Sequence, residues 1–124
     1  MDPGYCYSYS ITSIKLPSTI EYIGYQAFRE NEISGELDFS NLTNLKTIGE
    51  EAFSYNQLRS ITIPKSVTSI GKMAFDRQVD DEDNDILTHV YVGNSNATIG
   101  CQAFGFSDYL QTHNLPDDYV DSCR

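Results

Sequence analysis

The side chains best equipped for chemistry are sparse in this chain, and their spacing excludes most reactions. His89 and His113 are the only histidines, and neither has a cysteine or second histidine at zinc-ligand spacing. The run Asp80-Asp81-Glu82-Asp83-Asn84-Asp85 alternates carboxylates at Asp81, Asp83 and Asp85, as an oxygen-ligand calcium loop begins. Ile86 stands where that loop needs glycine, and Val92 where it needs a bidentate glutamate. The run is therefore expected to be a solvated insertion rather than an ion site. Serines are many, but none sits in a Gly-x-Ser-x-Gly elbow or a Ser/His/Asp arrangement, and there is no glycine-rich phosphate loop. Neither catalysis nor a cofactor or metal is expected. Asn41-Leu42-Thr43 and Asn96-Ala97-Thr98 fit the glycosylation pattern, which matters only in a eukaryotic secretory pathway.

Bulk properties narrow the partners. A net charge of −10, from 18 acidic and 8 basic residues, repels phosphate backbones and anionic headgroups, so nucleic acid is not an expected partner. No apolar run approaches the roughly 20 residues that span a bilayer, which argues against membrane insertion. The start, Met1-Asp2-Pro3-Gly4-Tyr5, lacks the basic and apolar regions of a signal peptide. Three cysteines, Cys6, Cys101 and Cys123, without CxxC spacing, leave the redox compartment open.

The elements that must carry these residues are set by an internal repeat. The tetrad Ile-Gly-x-x-Ala-Phe occurs four times, ending at Phe28, Phe53, Phe75 and Phe104, at spacings of 25, 22 and 29 residues. Counting back from the tetrads gives Ile11, Ile14, Leu16 and Ile20 in the first repeat and Leu58, Ile61, Ile63 and Val67 in the third. The fourth gives Leu87, Val90 and Val92, then breaks the pattern with Asn96. The second is longer, with Leu37 and Phe39 as its strand pair, followed by Leu45 and Ile48. Ile14-Lys15-Leu16, Leu37-Asp38-Phe39, Ile61-Thr62-Ile63 and Val90-Tyr91-Val92 alternate as half-buried strands do. Pro17 and Pro64 end two of them. The tetrad glycine predicts either a positive φ or a close backbone approach. The four phenylalanines predict a stacked, buried spine, and Asn31 and Asn56, three residues beyond a spine ring, are placed to cap a bend. One coil cannot bury its own edge, so the coils must stack. Tyr5, Tyr7 and Tyr9 are candidates to cover the first coil, and Phe106, Tyr109, Leu110 and Leu115 the last. Cys6 falls roughly where the spine phenylalanine of a preceding, truncated coil would lie, which points to a longer array. The spacing after Phe75 leaves about seven residues without a slot, predicting a mobile loop over 76–86.

Ile61-Thr-Ile-Pro-Lys-Ser-Val-Thr-Ser-Ile-Gly-Lys-Met-Ala-Phe75 resembles the repeat unit of BspA-type leucine-rich-repeat proteins, as does Ile14 to Phe28. The resemblance covers about residues 11–104. It implies a leucine-rich-repeat solenoid of four stacked coils, with a short parallel β-sheet on the concave face and irregular or short helical turns on the convex face. Boundaries follow from the tetrads: a partial repeat or cap at 1–10, coils at about 11–32, 33–57, 58–85 and 86–104, and an irregular cap at 105–124. The resemblance also implies a cell-surface or secreted protein that adheres to other molecules, with no ligand specified.

With the apolar strand residues turned inward, Ser13, Lys15, Glu36, Asp38, Ser60, Thr62, His89 and Tyr91 point outward on successive rungs. They are the candidate binding residues, for a protein or glycan. An intracellular scaffold and a structural spacer are the competing readings. Cys101 occupies the polar slot of Tyr25, Glu50 and Lys72, and Cys6 lies at the far end of the stack, so any disulfide is expected to be Cys101–Cys123. Three free thiols are the alternative.

Overall fold

The computed structural model describes residues 11–105, 111–113, 115, 119 and 123. The chain winds through two parallel sheets that share one core. The larger runs through β2 (Ser34–Asp38), β4 (Gln57–Ile63), β6 (His89–Val92) and β8 (Gln111–His113), in that order. The smaller is built from two-residue strands, β1 (Tyr22–Ile23), β3 (Thr47–Ile48), β5 (Ser69–Ile70) and β7 (Thr98–Ile99). Each tetrad isoleucine pairs with the next, Ile23 to Ile48 to Ile70 to Ile99, and Leu37, Ile61 and Val90 share a rung of the larger sheet. This is a solenoid of leucine-rich-repeat type, since successive coils lie one on another in parallel register.

The third side of the core is the aromatic spine. Phe28 and Phe53 stack at 5.2 Å, Phe53 and Phe75 at 5.2 Å and Phe75 and Phe104 at 5.6 Å, with interplanar angles of 15°, 1° and 11°. Phe53, Phe75 and Phe104 are buried, but Phe28, the outermost described ring, is only half-buried. Tyr119 and Leu115 from the tail pack against the core, Tyr119 at 6.0 Å from Phe104. Of the cover residues expected from the sequence only Leu115 is among the described residues; Tyr5, Tyr7, Tyr9, Phe106, Tyr109 and Leu110, and also Cys6, lie outside them.

Three of the four tetrad glycines, Gly49, Gly71 and Gly100, serve close approach, and none of the four has a positive φ. A Cβ on Gly71 would lie 2.4 Å from the Glu50 backbone nitrogen, one on Gly100 2.4 Å from that of Lys72, and one on Gly49 2.8 Å from the Gly24 carbonyl carbon. The left-handed residue comes two positions later, at Gln26, Glu51, Met73 and Gln102, with φ of 53° to 56°. There the chain closes a turn (Ala27 N–H donates to the Gly24 carbonyl at 3.2 Å), as a type II turn does. The spine amides then bond across coils: Phe28 N–H to Ala52, Phe53 to Ala74 and Phe75 to Ala103, at 2.6 to 2.7 Å.

Beyond three of the four spine rings a primary amide closes the coil. Asn31 donates to the Phe28 carbonyl at 3.0 Å. Asn56 donates to Phe28 and Phe53 and accepts from Ile33 N–H. Gln78 repeats the pattern, donating to Phe53 and Phe75 and accepting from Leu58 N–H.

Three expectations need correction. Ile14–Leu16 forms no strand, so only three of the four expected coils enter the larger sheet and its fourth strand comes from the tail. On the larger-sheet side the first coil's backbone meets the chain leading into β2 through the Ile11 and Thr12 carbonyls, which accept from Glu32 and Ser34; further along, the register of β2 with β4 shifts between Gly35 and Glu36. No helix occurs among the described residues: the turns opposite the larger sheet are closed by the left-handed residues, which a helix cannot accommodate. The segment 76–86 is not one loop. Asp76 and Gln78 are buried within the coil, and only 80–85 extend beyond it, in a hairpin pinned by the Val79–Asp85 bridge and by Asp80 N–H to the Asn84 carbonyl at 3.0 Å.

Candidate binding face

Alternation along the strands sorts the larger sheet into a buried and an outward face. Burial runs exposed–buried–exposed–buried along β6, from His89 to Val92; 36–38 alternates likewise, and over 60–63 half-buried Ser60 and Thr62 alternate with buried Ile61 and Ile63. The pairing sets Glu36 beside Ser60 and Ser60 beside His89, and one step on Asp38 beside Thr62 and Thr62 beside Tyr91. Six of the eight outward candidates therefore form two parallel rows, their strands about 4.8 Å apart. Ser13 and Lys15 do not extend these rows, because their segment is not in the sheet; the register continues at the other end through Gln111 and His113.

The rows are held by their own backbone. The Asp38 carboxylate accepts from Ser40 N–H at 2.9 Å, and that bond, with a second from the Ser40 side chain, holds its pKa below the usual value. Thr88 Oγ1 lies 3.1 Å from His89 Nδ1 and donates to the Arg59 carbonyl. Tyr91 is 46% exposed. Arg59, unmatched in register because of the bulge, adds an exposed cation at this face that sequence spacing did not flag. Two clefts flank the rows. One, of about 290 Å³, lies between residues 14–16 and β2 and includes Lys15, Glu36 and Asp38. The other, of about 450 Å³, opens beside Thr62 and Tyr91 where β4 and β6 end.

Elsewhere some charges brace the scaffold. Arg29 sits 2.8 Å from Glu30 and 3.2 Å from Glu51, the latter contact of its Nε lacking hydrogen-bond alignment, and its guanidinium lies 5.0 Å from the Tyr55 ring. Asp80 accepts from the amides of Glu82 and Asn84 and from the Asn84 side chain, so this carboxylate of the acidic run caps its own hairpin. Among the described residues no three His, Cys, Asp or Glu side chains converge on a shared metal position. At the end of the stack Cys101 and Cys123 are joined by a disulfide, with Cα atoms 5.3 Å apart. Beside it, Cys123 N–H donates to Gln102, which in turn donates to Asp76.

A family model for the BspA-type leucine-rich repeat region matches residues 2–122, in six copies. The chain belongs to the BspA-type leucine-rich-repeat family. Six matched copies exceed the four tetrads, so the family pattern extends past the tetrad-bearing coils into both ends. No curated protein and no solved structure matches the chain. Membership fits a repeat module for macromolecular interaction, built on a fold that is generally non-enzymatic. No described helix is long and apolar enough to cross a membrane.

The amide ladder was legible further than sequence reading took it. Gln78 stands three residues after Phe75, as Asn31 and Asn56 stand after Phe28 and Phe53, and its longer side chain fills the same role.

Proposed function

We propose that this BspA-type module is a non-enzymatic recognition element of a surface-displayed or secreted protein, and that it binds a protein or glycan through the larger sheet. The observation that carries this reading is the pair of registered rows, Glu36–Ser60–His89 and Asp38–Thr62–Tyr91. They place varied polar groups and one exposed aromatic ring on a rigid support, while the same coils repeat their core residues closely. Aromatic rings are frequent energetic anchors at interfaces. The surface of one such sheet is well below the roughly 800 Å² per partner of a standard interface, so tight attachment would draw on avidity from further repeats.

The test replaces Asp38 and Tyr91 with alanine in the parent protein and measures attachment to its target. Loss of attachment with unchanged melting supports the reading. Attachment that survives both changes, but is lost on altering the tetrad edge, sinks it in favour of a spacer or an edge-binding scaffold.

A further inference from the structure

From the second coil on, each coil is held to the next along three lines: the larger sheet, the smaller sheet and the spine. The tail answers them unequally. In the larger sheet β8 pairs with β6 through three rungs, Gln111 to His89, Thr112 to Val90 and His113 to Tyr91. On the spine Tyr119 imitates a further coil. Phe28, Phe53 and Phe75 each give their amide to the alanine carbonyl of the next coil at 2.6 to 2.7 Å, whereas the Phe104 amide donates to the Tyr119 hydroxyl at 3.3 Å. The Tyr119 ring lies 6.0 Å from Phe104 at a tilt of 48°, while coil rings stack within 5.6 Å and 15° of their neighbours. In the smaller sheet no strand follows β7 among the described residues. There, two positions beyond β7, Cys101 is bonded to Cys123 instead.

We propose that the Cys101–Cys123 disulfide is a redox-sensitive latch on the last rung of the larger sheet, and that its reduction detaches the tail while the coils persist. The covalent bond stands where the smaller sheet would otherwise continue. Without it the tail relies on β8, on the packing of Leu115 and on the long Phe104–Tyr119 contact. Closing a loop across a sequence separation of 22 favours the docked tail by roughly 10²–10³-fold on chain-entropy grounds. The coils upstream do not depend on it, since Phe53 and Phe75 each keep a ring on both sides. Both cysteines are partly exposed, which opens the bond to a small dithiol. One thiolate of the reagent attacks a sulfur and its second thiol resolves the mixed disulfide; the reagent leaves as a disulfide, and its two protons end on the Cys101 and Cys123 thiols. In the oxidised chain β6, which carries His89 and Tyr91, is an inner strand. In the reduced chain it becomes the edge, with a row of backbone groups opened to solvent. The latch holds whatever the sheet binds.

The experiment is amide hydrogen exchange by NMR on the full 124-residue chain, oxidised and after treatment with dithiothreitol, with mass spectrometry confirming the free thiols. Exchange at the Phe104 amide and at the β6 amides directed at β8 is expected to speed by at least about tenfold on reduction. The amides of Phe53 and Phe75, which bond between coils, should change by less than about twofold. Replacing both cysteines, Cys101→Ser with Cys123→Ser, should reproduce the reduced pattern without reductant. Unchanged exchange at Phe104 and β6 in the reduced chain would overturn the proposal, because the tail would then stay docked by its own contacts. So would a loss of protection at Phe53 alongside Phe104, which would make the bond a staple for the whole fold rather than a latch on its last rung.

Discussion

Along the tetrad edge, successive coils hold the same residues in the same geometry: Phe53 and Phe75 lie 1° from parallel, and Gly71 leaves no room for a Cβ against Glu50. Across the core, the equivalent outward slot of the larger sheet holds Asp38, Thr62 and Tyr91 in turn. Both regions are fixed by parallel hydrogen bonding between coils. They differ in what their side chains meet: on the edge each meets another coil, on the sheet each meets solvent. Stability is concentrated on the edge, which leaves the sheet free to differ from rung to rung.

The largest effect expected is from Phe53→Ala, which removes a ring stacked on both sides and should cost ~3–5 kcal/mol in chemical denaturation. A loss under about 1 kcal/mol would break the contrast. Gly71→Ala should follow at ~3 kcal/mol, since its Cβ would meet backbone atoms at 2.4 to 2.8 Å and neither coil can yield without opening the ladder. Gly24→Ala is the internal control. Among the described residues its Cβ would meet only Tyr22 Cε1, at 3.5 Å, so the loss should be smaller than at Gly71. Comparable losses at the two glycines would show that something other than coil contact selects the residue.

Next comes Asn56→Ala, which strands the buried Ile33 amide and the Phe28 and Phe53 carbonyls and should cost about 2–3 kcal/mol, measured in the same way. Smaller still is the pH effect of Asp76. Burial raises its pKa, against a hydrogen bond from Gln102 and the nearby Arg77 charge. A pKa higher in the folded state means that the fold holds this proton more tightly, so this group's contribution falls as pH rises from the ordinary value of 3.8 through the folded one. Asp76→Asn keeps an acceptor for Gln102 and should flatten that part of the Tm–pH profile, with a modest gain in Tm at neutral pH. Least of all, Thr62→Ala and Tyr91→Ala should each shift stability by under about 0.5 kcal/mol, as exposed changes away from caps and cores do. A larger loss would place the sheet rows within the scaffold.

How far the sequence reached follows the same division. The spine and the strand alternation were legible because each repeats, and repetition makes the inward residues identifiable without a structure; the small sheet of two-residue strands was not expected. The missing strand at Ile14–Leu16 was not legible, since its pattern matches the other coils. The fourth coil, where Asn96 interrupts the apolar series, keeps its core by a change of position: Ala97 is buried and Asn96 exposed. Of the binding face, the rows were legible from period-two alternation. The hydroxyl-lined cleft was not, because Ser40, Thr43 and Ser66 come from turns that only coil stacking brings beside Tyr91.

The disulfide has a mechanical consequence. A solenoid pulled along its stacking axis peels coil by coil, and each tetrad interval of 22 to 29 residues releases roughly 75–100 Å of chain as it opens. The Cys101–Cys123 bond shunts tension across a sequence separation of 22, so the cap it encloses carries no load and pays out none of its roughly 75 Å while the thiols stay oxidised. Under traction from its C-terminal side, the chain therefore yields first at coils upstream of Cys101. Reduction adds the cap to the extensible length, and the local redox state sets how far the module stretches before its core begins to unravel.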